Sequence, residues 1–223
     1  MTLQEPASCF RPAAAPHQVW HPQAPVGGSA LFWRGKRVFD IGLSLALLPL
    51  LLGIGALLLV LNPLANPGPL FFRQVRMGRD CAPFAVLKFR TMSGPPQPTR
   101  DPDEGLETTR ITRLGRVMRQ TRIDEFPQIL NVLRGEMSLI GPRPDCFDHA
   151  AAFLRRIPDY RARHTVRPGI SGLAQVTLGY AEGVEATRAK VAADLLYLRH
   201  AGPWLEAWVF WRTLATIAAR AGR

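Results

Sequence analysis

From Ile41 to Leu61 the chain carries no charged side chain, and no other stretch restricts its fold as strongly. Wound as a helix at roughly 1.5 Å per residue, such a run covers the roughly 30 Å hydrocarbon core of a bilayer. Pro49 lies inside it, where it removes a backbone donor and leaves the carbonyl of Leu45 without its helical partner; Gly53 and Gly55 loosen the next turn. Both flanks are basic, with Arg34, Lys36 and Arg37 before the run and Arg73, Arg76 and Arg79 after it. A straight span would put one basic flank on the outer side, whereas a hairpin reversing at Leu48-Pro49 keeps both on the cytoplasmic side. The pattern favours a re-entrant helix-break-helix over residues 34–62, with a single kinked span as the alternative.

Residues 1–33 are rich in Pro and Ala and lack periodicity, which predicts a disordered tail. Beyond the apolar run, Asn62-Pro63 and Asn66-Pro67-Gly68-Pro69 mark turns. Leu70-Phe71-Phe72 and Phe84 to Phe89 then read as two short strands joined around Met77-Gly78-Arg79. Residues 94–106 read as a loop. Ile111, Leu114, Val117 and Met118 recur at helical spacing, and a second helix is expected through Ile129 to Leu133 with Pro127 in its first turn and Asp124 near its N-cap. Ile170 to Val176 reads as extended and Glu185 to Arg199 as helical. The final segment gathers Trp204, Trp208 and Trp211 with Leu205, Leu214 and Arg212, the composition of an interfacial amphipathic helix or of a core helix. The class is α+β and mostly helical.

Within this frame one stretch concentrates chemistry: Arg122-Ile123-Asp124-Glu125-Phe126-Pro127-Gln128, followed by Gly141-Pro142-Arg143-Pro144. A formal net charge of +11 surrounds the two adjacent carboxylates with cations. Carboxylates repel a phosphate unless a divalent cation stands between them or one attacks it as a nucleophile, while arginines grip its oxygens in bidentate forks. An Asp-Glu pair alone is more often a solvated helix start, so the basic context carries the reading. At the helix start the macrodipole is expected to keep Asp124 ionised. Arg110, Arg113, Arg116 and Arg119 form a basic face that suits either solvent or anionic headgroups and phosphates. Cys9, Cys81 and Cys146 stand far apart, which indicates neither a zinc site nor a disulfide framework. His164 reads as a surface or core-edge residue.

Several motifs together resemble the bacterial sugar transferases of the monotopic polyprenyl-phosphate phosphoglycosyl transferase family. They are Lys36-Arg37-Val38-Phe39-Asp40, Pro67-Gly68-Pro69, Lys88-Phe89-Arg90-Thr91-Met92, Asp124 to Gln128, Asn131 to Ser138, Gly141-Pro142-Arg143-Pro144 and Pro168-Gly169-Ile170-Ser171-Gly172. The resemblance spans roughly residues 34 to 217. It implies a cytoplasmic catalytic domain over 63–223, on the inner membrane, that moves a sugar 1-phosphate from a nucleotide diphosphate sugar, with a UDP-sugar as the guess, to polyprenyl phosphate. It further implies Asp124 as nucleophile and Glu125 as its essential neighbour, both serving Mg²⁺. Arg143, Lys88, Arg90, Arg113 and Arg188 are the expected phosphate-binding cations, and Pro49 the structural break.

Two departures stand out. The family's Ser-Pro at the helix break is Leu48-Pro49 here, and its Asn-Gly-Arg stretch is replaced by Thr177-Leu178-Gly179-Tyr180 with a later Thr187-Arg188. Arg188 is then either the substitute cation or an ordinary helix-surface arginine. Membrane lipids are expected partners and a homodimer stays open. Nucleic acid is not expected, because no binding signature accompanies the charge. A non-catalytic, basic, membrane-anchored lipid- or protein-binding module is the competing reading, and it leaves the clustered motifs unexplained.

Overall fold

A computed structural model describes residues 26–94, 108–179 and 183–219. Most of the proposed tail, all of the proposed 94–106 loop but Gly94, and Tyr180 lie outside the described residues.

Helix α1 runs from Ala30 to Ala65, capped by the Ser29 hydroxyl on the Phe32 N–H, with Pro49 and Pro63 inside it. Where a break was expected at Pro49, the helical assignment continues through it. One stripe, Asp40, Ser44, Leu51, Leu58 and Asn62, is buried at helical spacing. The remaining faces expose Leu45, Leu50, Leu52, Leu57, Leu59, Val60 and Leu64. Both ends of α1 are tied to the rest of the chain. Near the start, Lys36 bonds Glu206 at 2.5 Å, Arg37 donates to the Val132 carbonyl at 2.8 Å, and Asp40 accepts from the Ser138 hydroxyl at 2.7 Å. Near the end, Asn62 and Asn66 donate to the Gly68 and Arg90 carbonyls, each at 2.7 Å.

The hairpin expected from sequence is present as β1 (Phe71–Met77) and β2 (Pro83–Phe89), antiparallel, with Phe71 opposite Phe89 and Met77 opposite Pro83. A two-stranded ribbon is marginal alone. Here the buried Asn131 supplies what a third strand would: its amide oxygen accepts from Leu87 N–H at 3.0 Å and its amide nitrogen donates to the Ala85 carbonyl at 2.8 Å. Asn131 belongs to α3 (Gln128–Arg134), which the left-handed Gly135 ends at φ 87°. Before it comes α2 (Arg113–Gln120), capped by the Thr112 hydroxyl on Gly115 N–H at 2.9 Å. Gly115 is required there, because a Cβ would stand 2.1 Å from the Thr91 carbonyl oxygen.

Strand β3 (Ser138–Ile140) pairs in parallel with β4 (Gly169–Ser171). This pairing explains two of the sequence motifs at once. A Cβ on Gly169 would lie 2.2 Å from the Gly141 nitrogen, and one on Gly172 would lie 2.3 Å from the Gly141 oxygen, so the two motifs meet backbone to backbone. The expected extended run to Val176 stops at Ser171; Leu173–Leu178 is helix α5, whose Leu173 and Ala174 are buried. Helix α4 (Phe147–Arg156), unanticipated from the sequence, packs Ala150 and Phe153 against Met77, Ile157, Tyr160 and Val191. Helices α6 (Val184–Arg199) and α7 (Pro203–Ala218) close the domain around Tyr197, Leu198 and Val209. On α7, Trp204, Trp208 and Trp211 are exposed. The fold is thus mostly helical α+β, with one long apolar helix near the N-terminus.

Candidate active site

Asp124 and Glu125 occupy a 3-10 turn, Ile123–Glu125, between α2 and α3. Arg122 enters the turn in the left-handed conformation, φ 58°, and its carbonyl accepts from Glu125 N–H at 3.1 Å. Pro127 caps α3, so Asp124 stands ahead of the helix and not at its N-cap. Burial, and not the macrodipole, then governs its charge. Asp124 is pushed above the usual carboxylate range by burial first and by the charge of Glu125 second, against the pull of Lys88, Arg119 and Arg122. Its Oδ1 is buried and has no hydrogen-bond partner among the described residues.

Glu125 is equally buried yet differently served. Lys88 from β2 reaches Oε1 at 2.9 Å, while Arg143 spans the carboxylate, bonding Oε2 at 3.1 Å and Oε1 with its other nitrogen. Burial opposes ionisation of Glu125, but Arg143 and Lys88 outweigh it and hold the group well below the usual range. Arg143 is itself fixed by donating to the Ile170 carbonyl at 2.9 Å, across the glycine contact of the two loops. Burial lowers Lys88 to about 8, opposed by the charge of Glu125. Arg76 of β1 stands behind this group, donating to the Pro144 carbonyl at 2.5 Å and to Gln74. On the side of α2, Arg119 donates from Nε to the Thr91 hydroxyl at 3.0 Å.

The expected cations thus separate. Lys88 and Arg143 converge on Glu125. Arg90 donates to the Pro69, Met92 and Asn66 carbonyls and so fastens the chain after α1. Arg113 is exposed at the start of α2, and Arg188 is exposed on α6, 3.5 Å from Glu185. Arg76 and Arg122 were not singled out as site residues in the sequence, and Arg119 only as part of a basic face suited to solvent or phosphates. Two of them were legible as neighbours of the pair, whereas Arg76 arrives only through the hairpin register.

A second ionic cluster lies behind Arg143. Arg163 has 1% of its side chain exposed, bonds Asp145, lies 2.7 Å from Asp194, and donates to the Arg143 carbonyl at 2.6 Å. Lys190 and the Tyr160 hydroxyl complete the shell of Asp145. His164, expected at the surface or the core's edge, is buried beside Tyr160, with Nδ1 at 3.0 Å from the Gly78 carbonyl, which requires that nitrogen to carry the proton.

Among the described residues no three His, Cys, Asp or Glu side chains gather as a metal cage. One open carboxylate oxygen on Asp124 beside a second carboxylate nonetheless suits Mg²⁺, which takes one or two protein carboxylates and completes its shell from phosphates and water.

Residues 31–220 match the family model for bacterial sugar transferases, and the chain belongs to that family. It is 43% identical over 190 residues to a UDP-glucose:undecaprenyl-phosphate glucose-1-phosphate transferase of Caulobacter vibrioides, covering 82% of this chain and 66% of the relative. It is 42% identical over 187 residues to a UDP-N-acetylgalactosamine-undecaprenyl-phosphate N-acetylgalactosaminephosphotransferase of Aeromonas hydrophila, covering 82% of this chain and 43% of that protein. A UDP-glucose:undecaprenyl-phosphate glucose-1-phosphate transferase of Escherichia coli K12 is 36% identical over 173 residues, 77% of this chain and 37% of its own length. The chain therefore spans between about a third and two thirds of these relatives.

Proposed function

We propose that this chain transfers a sugar 1-phosphate from a UDP-sugar to undecaprenyl phosphate through a covalent intermediate on Asp124, and so begins assembly of a bacterial polysaccharide. The observation that carries the proposal is the buried, unpartnered Oδ1 of Asp124 beside a Glu125 already neutralised by two cations. An oxygen without a donor keeps its lone pairs for attack, and the cations next to it offset the charge of an incoming diphosphate.

In the first half-reaction an Asp124 carboxylate oxygen bonds to the sugar-bearing phosphorus. The bond from that phosphorus to the bridging oxygen breaks, and UMP leaves with the electron pair. In the second half-reaction a phosphate oxygen of the lipid attacks the same phosphorus, the acyl–oxygen bond to phosphorus breaks, and Asp124 returns as carboxylate. Asp124 and Glu125 would hold Mg²⁺, which would supply charge neutralisation and leaving-group stabilisation. Lys88 and Arg143 hold Glu125 in one orientation.

The location of the site at a membrane surface is part of the same proposal. Helix α1 is hydrogen-bonded to the domain at both ends and buries one stripe along its length, while its other faces are leucine-rich. A helix held to one domain at both ends does not leave those ends on opposite sides of a bilayer. This disfavours a span and supports a segment whose two ends both stay on the cytoplasmic face, as the basic flanks suggest.

The test is incubation with Mg²⁺ and UDP-glucose or UDP-N-acetylgalactosamine labelled in the sugar-bearing phosphate, without lipid acceptor. The expected result is UMP release and a hydroxylamine-sensitive label on wild-type protein and none on Asp124→Asn. Turnover with lipid acceptor by a folded Asp124→Asn protein at near wild-type rate would remove Asp124 as nucleophile.

A further inference from the structure

Asp40 is the last charged residue before the apolar run, and none of the proposed reaction steps uses it. It is 2% exposed, on a helix whose other buried residues are Ser44, Leu51, Leu58 and Asn62. A carboxylate so placed destabilises a protein unless its oxygens are answered. Lys36, the cation paired with it, lies 3.8 Å away and stands 2.5 Å from Glu206 of α7, so one ammonium is shared between two carboxylates. Fastening α1 does not depend on Asp40 either. Lys36 and Arg37 hold the start of the helix, and Asn62 and Asn66 hold its end.

What the carboxylate does is close a sheet edge. β3 and β4 form a sheet of two strands, so β3 has one edge with no strand beside it. Asp40 Oδ1 accepts from the Leu139 N–H at 3.2 Å, and Oδ2 accepts from the Ser138 hydroxyl at 2.7 Å. Asp40 thereby does for β3 what Asn131 does for the hairpin. β3 runs directly into the loop that carries Arg143. Gly141 N–H donates to the Ser171 carbonyl at 2.9 Å and Gly169 N–H to the Pro142 carbonyl at 3.0 Å, and Arg143 bonds the Ile170 carbonyl as well as Glu125. The far end of this loop is held by Arg163 on the Arg143 carbonyl and by Arg76 on the Pro144 carbonyl. Its near end rests on the short sheet whose outer edge Asp40 answers.

We propose that Asp40 is a positioning residue: from the apolar helix it fixes β3, and through β3 the Gly141–Pro144 loop, so that Arg143 holds Glu125 in its reactive orientation. The apolar helix is then part of the active-site framework and not an anchor alone. The consequence for catalysis rests on the proposed transferase reading; the hold on the loop does not.

The test compares the full chain in lipid nanodiscs with Asp40→Ala, Asp40→Asn, Ser138→Ala and Arg37→Met, by hydrogen exchange and by steady-state transfer per folded protein. In Asp40→Ala, exchange of the amides of residues 138–143 should quicken about tenfold while that of α2 and α6 is unchanged, and kcat should fall about tenfold with either KM changed less than about threefold. Asp40→Asn still offers an acceptor to Leu139, and the Ser138 hydroxyl can turn to the Ile140 carbonyl, 3.0 Å away, so both readings should return to within about threefold of wild type. Ser138→Ala removes one of the two bonds and should shift both readings about threefold; it decides the matter should Asp40→Ala not fold. Arg37→Met loosens α1 from α3 without touching Asp40 and should leave loop exchange unchanged. Unchanged loop exchange in a folded Asp40→Ala would overturn the proposal, as would exchange quickened evenly over the domain, an Asp40→Asn protein as impaired as Asp40→Ala, or an equal effect from Arg37→Met. A loosened loop with kcat within twofold of wild type would remove the catalytic consequence. Failure of wild type to release UMP would remove the transferase reading and leave the exchange comparison to decide whether Asp40 holds the loop.

Discussion

Two buried ionic clusters sit within one domain and are built to opposite ends. Around Asp145 and Asp194, each carboxylate faces a cation: Arg163 serves both, and Lys190 and Tyr160 add further bonds to Asp145, although Asp194 keeps a buried Oδ1 with no donor among the described residues and is pushed up by burial. Asp145 is accordingly held far below the usual carboxylate range, Lys190 and Arg163 overcoming the effect of burial. Around Asp124 and Glu125 the matching is uneven. Glu125 takes two cations, while Asp124, raised by burial as Asp194 is, forms no ion pair among the described residues and keeps an oxygen with no donor there. A closed cluster fixes backbone, here the Arg143 carbonyl; an open one keeps a group of high free energy available for reaction.

The contrast can be broken most sharply at Asp124. Asp124→Asn should lower sugar-phosphate transfer by a factor on the order of 10³ to 10⁵ while leaving the melting temperature equal or higher, since a buried open carboxylate becomes a neutral amide. A parallel loss of stability would place Asp124 in the closed class. Arg163→Met should do the reverse to the other cluster. It leaves Asp194 buried without its cation and should cost about 3–5 kcal/mol in urea denaturation. Transfer by the remaining folded protein should fall as well, through a loosened Arg143.

The third prediction concerns acid. His164 is pushed down to about 3 by burial, with the charge of Arg163 adding to it. Below about pH 6.5 the unfolded chain takes up a proton that the folded chain refuses until about pH 3, so stability falls with acid across that window. The slope should approach about 1.4 kcal/mol per pH unit and flatten in His164→Gln, as read from urea midpoints between pH 6 and 4. An unchanged slope would assign the acid response to the carboxylates held below their usual range, Glu125 and Asp145. The smallest expected effect is at Thr112, whose hydroxyl caps α2 and thereby sets Arg119 against Thr91. Thr112→Ala should cost about 0.5–2 kcal/mol of stability and leave the Glu125 bonds in place.

The sequence made one cluster visible and hid the other, for a physical reason. Asp124 and Glu125 are adjacent and sit between recurrent motifs, so a local reading finds them, along with β1, β2, α2 and α3. Asp145, Arg163, Lys190 and Asp194 come from separate segments, and only tertiary packing brings them together. The same distance in sequence concealed α4 and left His164 to be read at the surface or the core's edge, because its partner is the Gly78 carbonyl in the β1–β2 connection. Arg90 shows the complementary case. Its motif suggested a phosphate ligand, but its guanidinium closes on three backbone carbonyls that no sequence pattern marks. The continuation of α1 through Pro49 was also illegible, since proline reveals a lost hydrogen bond but not whether the helix tolerates it.

The amide of Asn131, which stands in for a third strand along β2, has a bearing on how the protein behaves among its own copies. A bare strand edge is a template on which any extended chain can add itself, and crowding at a surface multiplies the encounters. Asn131 answers the Leu87 donor and the Ala85 acceptor with a single side chain that cannot propagate a ladder. Because an amide does not titrate, that protection holds at any pH the cell reaches. The β2 edge of the hairpin is thus answered at Leu87 and Ala85 by one residue that offers no further ladder.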